Sequence, residues 1–261
     1  MDISVITPTF NRKGLITESI DSSLDLVKKN FVKNVIIIDD ASTDGTFEYL
    51  LLKYREYVNS GVLIIYRLEE NIGVTGAKNF GVTLTDCEWI IFMDSDDCFL
   101  SDSGPIIARK LNSLFDYDLV FFRCVDMYTL KLLGRELPDG EITLEYLFNE
   151  STPGECVPAI RRDVIRKFPY RDSLRGCEGV TYFQMLNNSC RVYLSSEAIR
   201  RYRSSGDDRL SNRATIQKRA KQMLMCNIYS MRYIRHANLK RLLGLIARVI
   251  YYSYLSIIKR Q

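Results

Sequence analysis

The chain of 261 residues has few of the residues from which metal cages and disulfide frameworks are built. His236 is its only histidine, and its seven cysteines are scattered without a C-x-x-C pair. This usage argues against a structural zinc site and against a disulfide framework. The first residues also lack the basic flank and the long apolar segment of a signal peptide. We therefore expect reduced thiols and a cytoplasmic location.

Acidic residues are missing from the end of the chain. No Asp or Glu follows Asp208, whereas residues 209–261 contain 12 lysines and arginines. The formal net charge of +4 thus hides an acidic region up to residue 208 and a strongly basic region after it. A basic terminal region favours a polyanionic partner, either an anionic lipid surface or a nucleic acid. A basic helical tail that is merely solvated is the alternative.

A hydrophobic run long enough to span a membrane is missing as well. Residues 242–258 contain Arg248 and fall short of the roughly 20 apolar residues that cross a bilayer. The segment from about residue 215 predicts two helices separated near residues 236–238, and apolar residues of the second share one face. We expect residues 239–261 to lie on an anionic membrane surface, at the inner face of the cell membrane; a helix folded back onto the protein is the alternative. The apolar face comprises Leu239, Leu242, Leu243, Ile246, Ile250, Tyr254 and Ile257, with Arg241, Arg248 and Lys259 opposite.

The first half of the chain contains four short apolar runs, at residues 3–7, 35–38, 62–66 and 89–93. They lack alternation and are rich in β-branched residues, as parallel strands covered on both faces are. Because helical patterns separate them, we predict an α/β fold: a doubly wound, mostly parallel sheet flanked by helices, with amphipathic helices at the C-terminal end. A fifth run, at residues 119–122, is expected to continue the sheet.

Three carboxylates, Asp94, Asp96 and Asp97, follow the fourth apolar run directly, with Ser95 among them. Open α/β sheets bind ligands at the carboxyl ends of their strands. Carboxylate oxygens suit Mg²⁺ or Mn²⁺, which one or two carboxylates and substrate phosphates commonly hold together. The motif predicts a metal site for a phosphorylated ligand. An acidic turn that caps the next helix is the alternative.

Other predicted strands end in polar segments that would lie beside these acids. The first ends in TPTFNR and the second in DDASTDGT. Two neighbouring acid clusters repel each other if they are desolvated, and a cation or a polar ligand would relieve the repulsion. A helix N-cap turn, with Asp44 as the cap, is the alternative for Asp39 and Asp40. Residues 71–81 add glycines for close backbone approach and Lys78 for a phosphate, although an isolated glycine-rich loop more often marks a plain helix start.

Four segments occur together in one order: SVITPTFNR, VIIIDDASTDGT, NIGVTGAKNFG and FMDSDD. In that order they resemble the nucleotide-binding half of family 2 glycosyltransferases, inverting enzymes with a GT-A fold. The resemblance covers residues 3–97. It implies a nucleotide-sugar-binding half at residues 1–125 and an acceptor-binding half at residues 126–214. Charge and helical periodicity mark residues 215–261 as a basic helical segment.

The resemblance also implies roles for individual residues in binding a nucleotide sugar. Asp94 would meet the ribose and Asp96 the metal, and the two carboxylates could share the ion. Asp39 would hold the edge of the base, and Lys78 would contact the nucleotide or its diphosphate. The other expected donor contacts are Thr7, Pro8, Thr9, Asn11, Arg12, Asp40, Gly73 and Ser95.

An inverting transfer needs a general base for the acceptor hydroxyl. The family usually places this base in a Glu-Asp pair before a helix with aromatic residues, and here Glu178 is followed by Gly179 instead of Asp. Glu178 is therefore the leading candidate for the base, and Asp97 or an acid elsewhere is the alternative. If Glu178 is not catalytic, it is an ordinary acid near a helix N-terminus. The segment at residues 203–211 resembles a loop that closes over the diphosphate, where Arg209 would clamp it; a simple linker is the alternative.

These features predict a metal-dependent inverting glycosyltransferase that uses Mn²⁺ or Mg²⁺ and a UDP-sugar donor. Its acceptor would be a glycan or a lipid-diphosphate-linked sugar in polysaccharide synthesis, and no nucleic-acid partner is expected. A sugar-phosphate nucleotidyltransferase is the nearest rival, but it would carry a glycine-rich, arginine-containing triphosphate loop after the first strand. A non-catalytic protein that binds membranes or nucleic acid, with purely structural acids, is the rival from another class.

Overall fold

The computed structural model describes residues 1–204 and 219–258. Its first part alternates strands and helices, as the sequence predicts. Each of the first four apolar runs forms a strand, and the runs of helical periodicity lie between them. The elements are β1 (Ile3–Thr9), α1 (Ile16–Lys28), β2 (Asn34–Asp39), α2 (Thr46–Lys53), α3 (Arg55–Asn59), β3 (Leu63–Arg67), α4 (Gly73–Val82) and β4 (Trp89–Phe92).

These four strands are parallel to one another, in the order β3-β2-β1-β4. Thr9 pairs with Asp39 and Ile6 pairs with Phe92, so the carboxyl ends of β1, β2 and β4 meet at one edge of the sheet. Every residue of β1 and β4 is buried, because helices or later strands cover both faces of the sheet. The polar segments that follow these strands are therefore neighbours.

The second part makes the sheet mixed. The fifth run forms β6 and continues the sheet, but β8 lies antiparallel between β4 and β6, so β6 is not the neighbour of β4. Strand β9 then pairs parallel with β6 and antiparallel with β5 and β7. The elements are β5 (Cys98–Phe99), α5 (Ser103–Ser113), β6 (Leu119–Asp126), β7 (Gly140–Ile142), α6 (Leu144–Glu150), β8 (Cys156–Arg161), α7 (Arg162–Lys167), α8 (Gly179–Asn187) and β9 (Val192–Tyr202).

The last described segment has two helices with a break where the sequence predicts one. Helix α9 (Ala220–Ser230) runs into a 3₁₀ turn (Met231–His236), and α10 (Leu239–Ile258) follows. Helix α10 packs against α9 and buries Leu245 and Tyr252. Within the described ranges, no helix is both long and apolar enough to cross a membrane.

Helix α10 does not bury its apolar face against the protein, as an amphipathic helix usually does. Arg248 faces the protein and donates to Asn227 at 3.1 Å, while the Arg241 guanidinium lies over the Phe148 ring. The helix thus folds back onto the protein through the face that carries its arginines. The predicted apolar face, Leu242 aside, is the exposed one, with Leu239, Leu243, Ile246, Ile250, Tyr254 and Ile257. Lys259 lies outside the described residues.

Candidate active site

A cavity of about 510 Å³ opens at the edge where β1, β2 and β4 end. Its lining includes residues at the ends of these strands, residues of α4, residues of the loop before α8 and residues at the start of α9. Nine residues predicted from the sequence line this cavity: Pro8, Thr9, Arg12, Asp40, Lys78, Asp94, Ser95, Asp96 and Glu178. Thr7, Asn11, Asp39, Gly73 and Asp97 lie near it without lining it, and Arg209 is outside the described residues.

The segment after β1 is held against the segment after β2. Asn11 adopts a left-handed backbone conformation, with φ 53°, so that its backbone N–H donates to Ser42 Oγ at 2.9 Å. Its side-chain oxygen accepts from the Thr43 N–H at 2.8 Å. Thr9 lines the cavity and has a buried Oγ1 without a hydrogen-bond partner among the described residues. A buried hydroxyl of this kind is a ready contact for a polar ligand.

Asp39 and Asp40, at the end of β2, are both buried, and protein groups satisfy their carboxylates. Asp39 accepts from the Ser42 hydroxyl and backbone N–H, and Arg67 Nε lies 3.7 Å away. Asp40 accepts from the backbone N–H groups of Ile72 at 2.7 Å and Gly73 at 2.9 Å. Burial raises the pKa of both carboxyls. Asp40 therefore anchors the glycine-rich stretch, and Gly73 provides the φ of 83° that this turn needs.

Asp44 contributes to the start of α2, although it is not the N-cap residue that the alternative predicts. Its carboxylate accepts from the backbone N–H of Thr46, the first helical residue, at 3.0 Å. Gly45, with φ 78°, occupies the N-cap position itself. The polar segment after β2 thus both begins a helix and supplies Asp40 to the cavity wall.

Asp94 lies between two buried cations. Lys78 Nζ is 3.3 Å from its Oδ1, and Arg200 Nη1 is 3.3 Å from its Oδ2. Burial alone would raise the pKa of Asp94, but the charges of Lys78 and Arg200 outweigh it and hold the pKa below its usual value. Burial would likewise lower the pKa of Lys78, and the charges of Asp94 and Glu178 reverse that effect. Both groups therefore stay charged at neutral pH.

Asp97 lies beneath the cavity and is only 1% exposed. Arg200 Nη1 is 3.1 Å from its carboxylate, and the Arg203 backbone N–H donates to it at 2.8 Å. Burial is the main reason why the pKa of Asp97 rises to about 7. From the sequence, we expected a bound cation or ligand to offset the repulsion among these acids. In the structure, the positive charges of Lys78 and Arg200 offset it.

Asp96 is the acid best placed for a metal ion. It is half-buried and lines the cavity beside Asp94. Across residues 1–204 and 219–258, no three His, Cys, Asp or Glu side chains form a group that could hold a metal alone. One or two carboxylates in an open cavity fit Mg²⁺ or Mn²⁺ that takes its remaining ligands from phosphates and water. The residues present thus fit an ion that arrives with a diphosphate.

Glu178 lines the cavity at the residue that precedes α8. It also lines a second cavity of about 330 Å³, part of whose wall is aromatic. The two cavities share Lys78, Asp94, Glu155 and Glu178, so Glu178 stands where they meet. The aromatic wall comprises Phe92, Phe121, Tyr170, Tyr182 and Phe183, and the hydroxyls of Tyr170 and Tyr182 are 3.0 Å apart.

Sequence reasoning missed several charged residues of this region. Arg200 lies on β9 and is separated from Asp94 by 106 positions, so no local pattern could connect them. Glu155, Arg175, Arg203 and Arg219 also line the main cavity. They come from loops and from α9, whose packing against the sheet has no short-range sequence signature.

The sequence model of glycosyl transferase family 2 matches residues 4–167 of this chain. The matched span is more than half of the sequence and includes the segments after β1, β2 and β4 that line the cavity. The chain therefore belongs to glycosyltransferase family 2.

Curated relatives match less than half of this chain's length. TuaG of Bacillus subtilis strain 168, whose name refers to teichuronic acid biosynthesis, is 35% identical over 119 residues. Those residues are 46% of this chain and 44% of TuaG. The poly(ribitol-phosphate) β-N-acetylglucosaminyltransferase TarS of Staphylococcus aureus strain Mu50 is 39% identical over 101 residues, which are 37% of this chain and 16% of TarS. The matches thus span less than half the length of either relative.

Solved structures share the fold over nearly the whole chain. TarS residues 1–349 in complex with UDP-GlcNAc give a TM-score of 0.67 at 20% identity, covering 95% of this chain and 72% of that one. The mannosyltransferase PcManGT from Pyrobaculum calidifontis, solved with GDP-Man and Mn²⁺, gives a TM-score of 0.61 at 17% identity, covering 97% and 73%. These similarities confirm the GT-A fold predicted from the sequence.

Proposed function

We propose that this protein is a metal-dependent inverting glycosyltransferase that takes a sugar from a UDP-sugar. One observation carries the proposal: a single cavity is lined by carboxylates at the strand ends, by Lys78 of α4 and by Glu178 before α8. The names of the relatives support it, since TarS is a β-N-acetylglucosaminyltransferase and was solved with UDP-GlcNAc. The acceptor would be a glycan or a lipid-diphosphate-linked sugar in the synthesis of a cell-surface polysaccharide.

The donor would lie along the wall formed by the strand ends. Asp39 and the segment from Thr7 to Arg12 would surround the base, and Asp94 would accept hydrogen bonds from the ribose. Asp96 would hold Mn²⁺ or Mg²⁺, which would neutralise charge on the diphosphate as it leaves. Lys78 is buried and cationic, so it can stabilise the same developing charge without reorganising.

Glu178 would act on the acceptor. An acceptor hydroxyl oxygen would form a bond to the anomeric carbon from the face opposite the diphosphate, whose bond to that carbon breaks. Glu178 would take the hydroxyl proton, which is the role of a general base. The position of Glu178 between the two cavities supports this role, because the donor sugar and the acceptor must meet at one point.

The experiment for the donor is a screen of nucleotide sugars by thermal unfolding in Mn²⁺, followed by an assay of UDP release. A bound donor raises the unfolding temperature by mass action. We expect a UDP-sugar to raise it more than the GDP- and CDP-sugars do, and to release UDP when acceptor is added. No shift with any nucleotide sugar would contradict the proposal.

The base assignment has a matched control within the same cavity. We expect Glu178→Gln to lower turnover by about 10²-fold or more, with donor binding unchanged, because Gln cannot accept the proton. Glu155→Gln removes a carboxylate that lines both cavities and should have a much smaller effect. The reverse result would transfer the role of base to Glu155.

We also propose that α10 holds the enzyme on the inner face of the cell membrane. Its exposed apolar residues and tyrosines, with basic residues nearby, are typical of a helix that lies in an anionic lipid interface. Because α10 also packs against α9, the test uses substitutions on the exposed face. Flotation with vesicles of phosphatidylglycerol should fail for Ile246→Gln with Ile250→Gln and succeed for Ala247→Gln. Equal flotation of all three proteins would refute the membrane role.

A further inference from the structure

Two guanidinium groups lie close together in the lining of the main cavity. Arg175 belongs to the loop before α8, and Arg219 directly precedes α9. The two terminal nitrogens of Arg219 lie 3.4 Å from the point where a Cβ at Gly176 would stand. Arg219 therefore rests against the loop that carries Glu178, two residues away from it.

Neither arginine forms an ion pair within the described part of the chain, although the charge of Arg175 acts on Asp40 and that of Glu178 acts on Arg219. No described carboxylate lies within ion-pair distance of Arg175 or Arg219, although Arg219 Nε donates to Gln222 at 2.8 Å. Arg175 Nε and Arg219 Nη2 are buried and have no hydrogen-bond partner in this part of the structure. Burial, together with the charge of Arg175, lowers the pKa of Arg219. Two adjacent cations with free N–H groups are stabilised by an anion.

We propose that Arg175 and Arg219 bind a phosphate group of the acceptor. The proposal rests on the proposed function, because it requires a donor bound at the strand ends. There, Lys78 and a metal at Asp96 would already meet the donor phosphates. An acceptor phosphate held at Arg219 would instead lie close to Glu178. A hydroxyl of the acceptor near that phosphate would then lie beside Glu178, the proposed general base. Paired guanidinium groups recognise phosphate oxygens through directed, charge-assisted hydrogen bonds.

Two kinds of acceptor carry such a phosphate: a polyol phosphate chain and a polyprenyl-diphosphate-linked sugar. The test uses protein saturated with UDP and Mn²⁺, so that the donor site is filled before the acceptor probe is added. One arm titrates a short poly(glycerol phosphate) oligomer by calorimetry, and the other titrates polyprenyl diphosphate in detergent micelles. The variants are Arg175→Met and Arg219→Met, and Arg166→Met, an exposed arginine on α7, is the control.

We expect one of the probes to bind wild type and the Arg166→Met protein equally and each of the other variants about tenfold or more weakly. The affinity for UDP should stay within about twofold in all variants, and thermal unfolding should show that they fold. The probe that binds identifies the source of the phosphate. Equal binding of both probes to all four proteins, or binding of neither probe to wild type, would overturn the proposal.

A loss of UDP affinity in Arg175→Met and Arg219→Met would also overturn it, because the pair would then belong to the donor site. Failure of the proposed function has a different signature. In that case UDP and Mn²⁺ would not bind wild type at all, while the oligomer titrated into the protein alone would still report on the two arginines.

Discussion

Two acid clusters stand at the ends of β2 and β4, on either side of β1, and the protein stabilises them differently. Asp39 and Asp40, at the end of β2, are held mainly by backbone N–H groups and a hydroxyl, with Arg67 3.7 Å from Asp39, and burial raises the pKa of both. Asp94, after β4, is held by the cations Lys78 and Arg200, which lower its pKa. The first cluster fixes the shape of the cavity wall. The second keeps a fixed negative charge beside the cavity.

The difference shows that crowded carboxylates do not by themselves require a bound ion. Arg200 alone contacts both Asp94 and Asp97, so the buried part of the second cluster is neutralised from within. Asp96 lines the cavity together with Asp94, and one or two such carboxylates suit an ion that arrives with a diphosphate. The metal site that we propose therefore rests on Asp96 and on the donor.

The largest expected effect is a loss of catalytic activity when Asp96, in the second cluster, is replaced. Asp96→Ala should lower UDP release in Mn²⁺ by about 10²-fold or more, because charge on the leaving diphosphate is no longer neutralised. Asp102→Ala, an exposed acid six residues further along, should behave as wild type. Equal release from both variants would remove Asp96 from the proposed metal site.

The next effect is on stability. Arg200→Met leaves Asp94 and Asp97 without their shared buried cation and should lower the free energy of unfolding by about 3 kcal/mol in urea denaturation. The double variant Arg200→Met with Asp97→Asn should recover part of this loss, since one buried charge is removed. If Arg200→Met alone lowers the free energy of unfolding by less than about 1 kcal/mol, the stability of the cluster does not depend on Arg200.

A smaller effect is expected in the first cluster. Asp40→Ala leaves the backbone N–H groups of Ile72 and Gly73 without their acceptor and should lower the free energy of unfolding by about 1–3 kcal/mol. Amide exchange at Ile72 and Gly73 should quicken at the same time. Glu69→Ala, a nearby exposed acid, is the control and should change neither quantity. Unchanged exchange in Asp40→Ala would contradict the anchoring role.

The smallest effect is a pH dependence of stability that separates Asp97 from Asp94. The pKa of Asp97 rises from 3.8 to about 7 in the folded protein, which therefore binds a proton that the unfolded chain has lost. Its contribution to stability is greatest below pH 3.8 and decreases as the pH rises to about 7. Asp94, with its lowered pKa, contributes in the opposite direction and only in more acidic solution. Asp97→Asn should flatten the slope between these pH values in urea denaturation, and an unchanged slope would contradict the raised pKa.

The parallel half of the sheet could be predicted because its information is local. Continuous apolar runs mark β1 to β4, and the polar segments after them mark the edge where a ligand binds. Strands β8 and β9 lack this signal, since β8 contains Pro158 and β9 is interrupted by Ser195, Ser196 and Glu197. The ion pairs of Arg200 join residues about a hundred positions apart, so only the fold brings them together.

Helix α10 shows a second limit of sequence patterns. Periodicity identified the helix and its break from α9, but it does not say which face packs against the protein. In α1 the apolar residues Ile16, Ile20 and Leu24 are buried, as usual for a helix on a sheet. In α10 the neighbours are Asn227 and the Phe148 ring, which are partners for arginines, so the apolar face points outward.

The central claim is that the cavity at the strand ends binds a nucleoside diphosphate together with a metal ion at Asp96. The most direct test is calorimetric titration of UDP into the full chain, once with Mn²⁺ and once with EDTA. The account predicts that UDP binds in Mn²⁺ and binds at least about tenfold more weakly in EDTA, and that Asp96→Ala abolishes this difference. Absence of UDP binding in both solutions, or equal affinity in both, would contradict it.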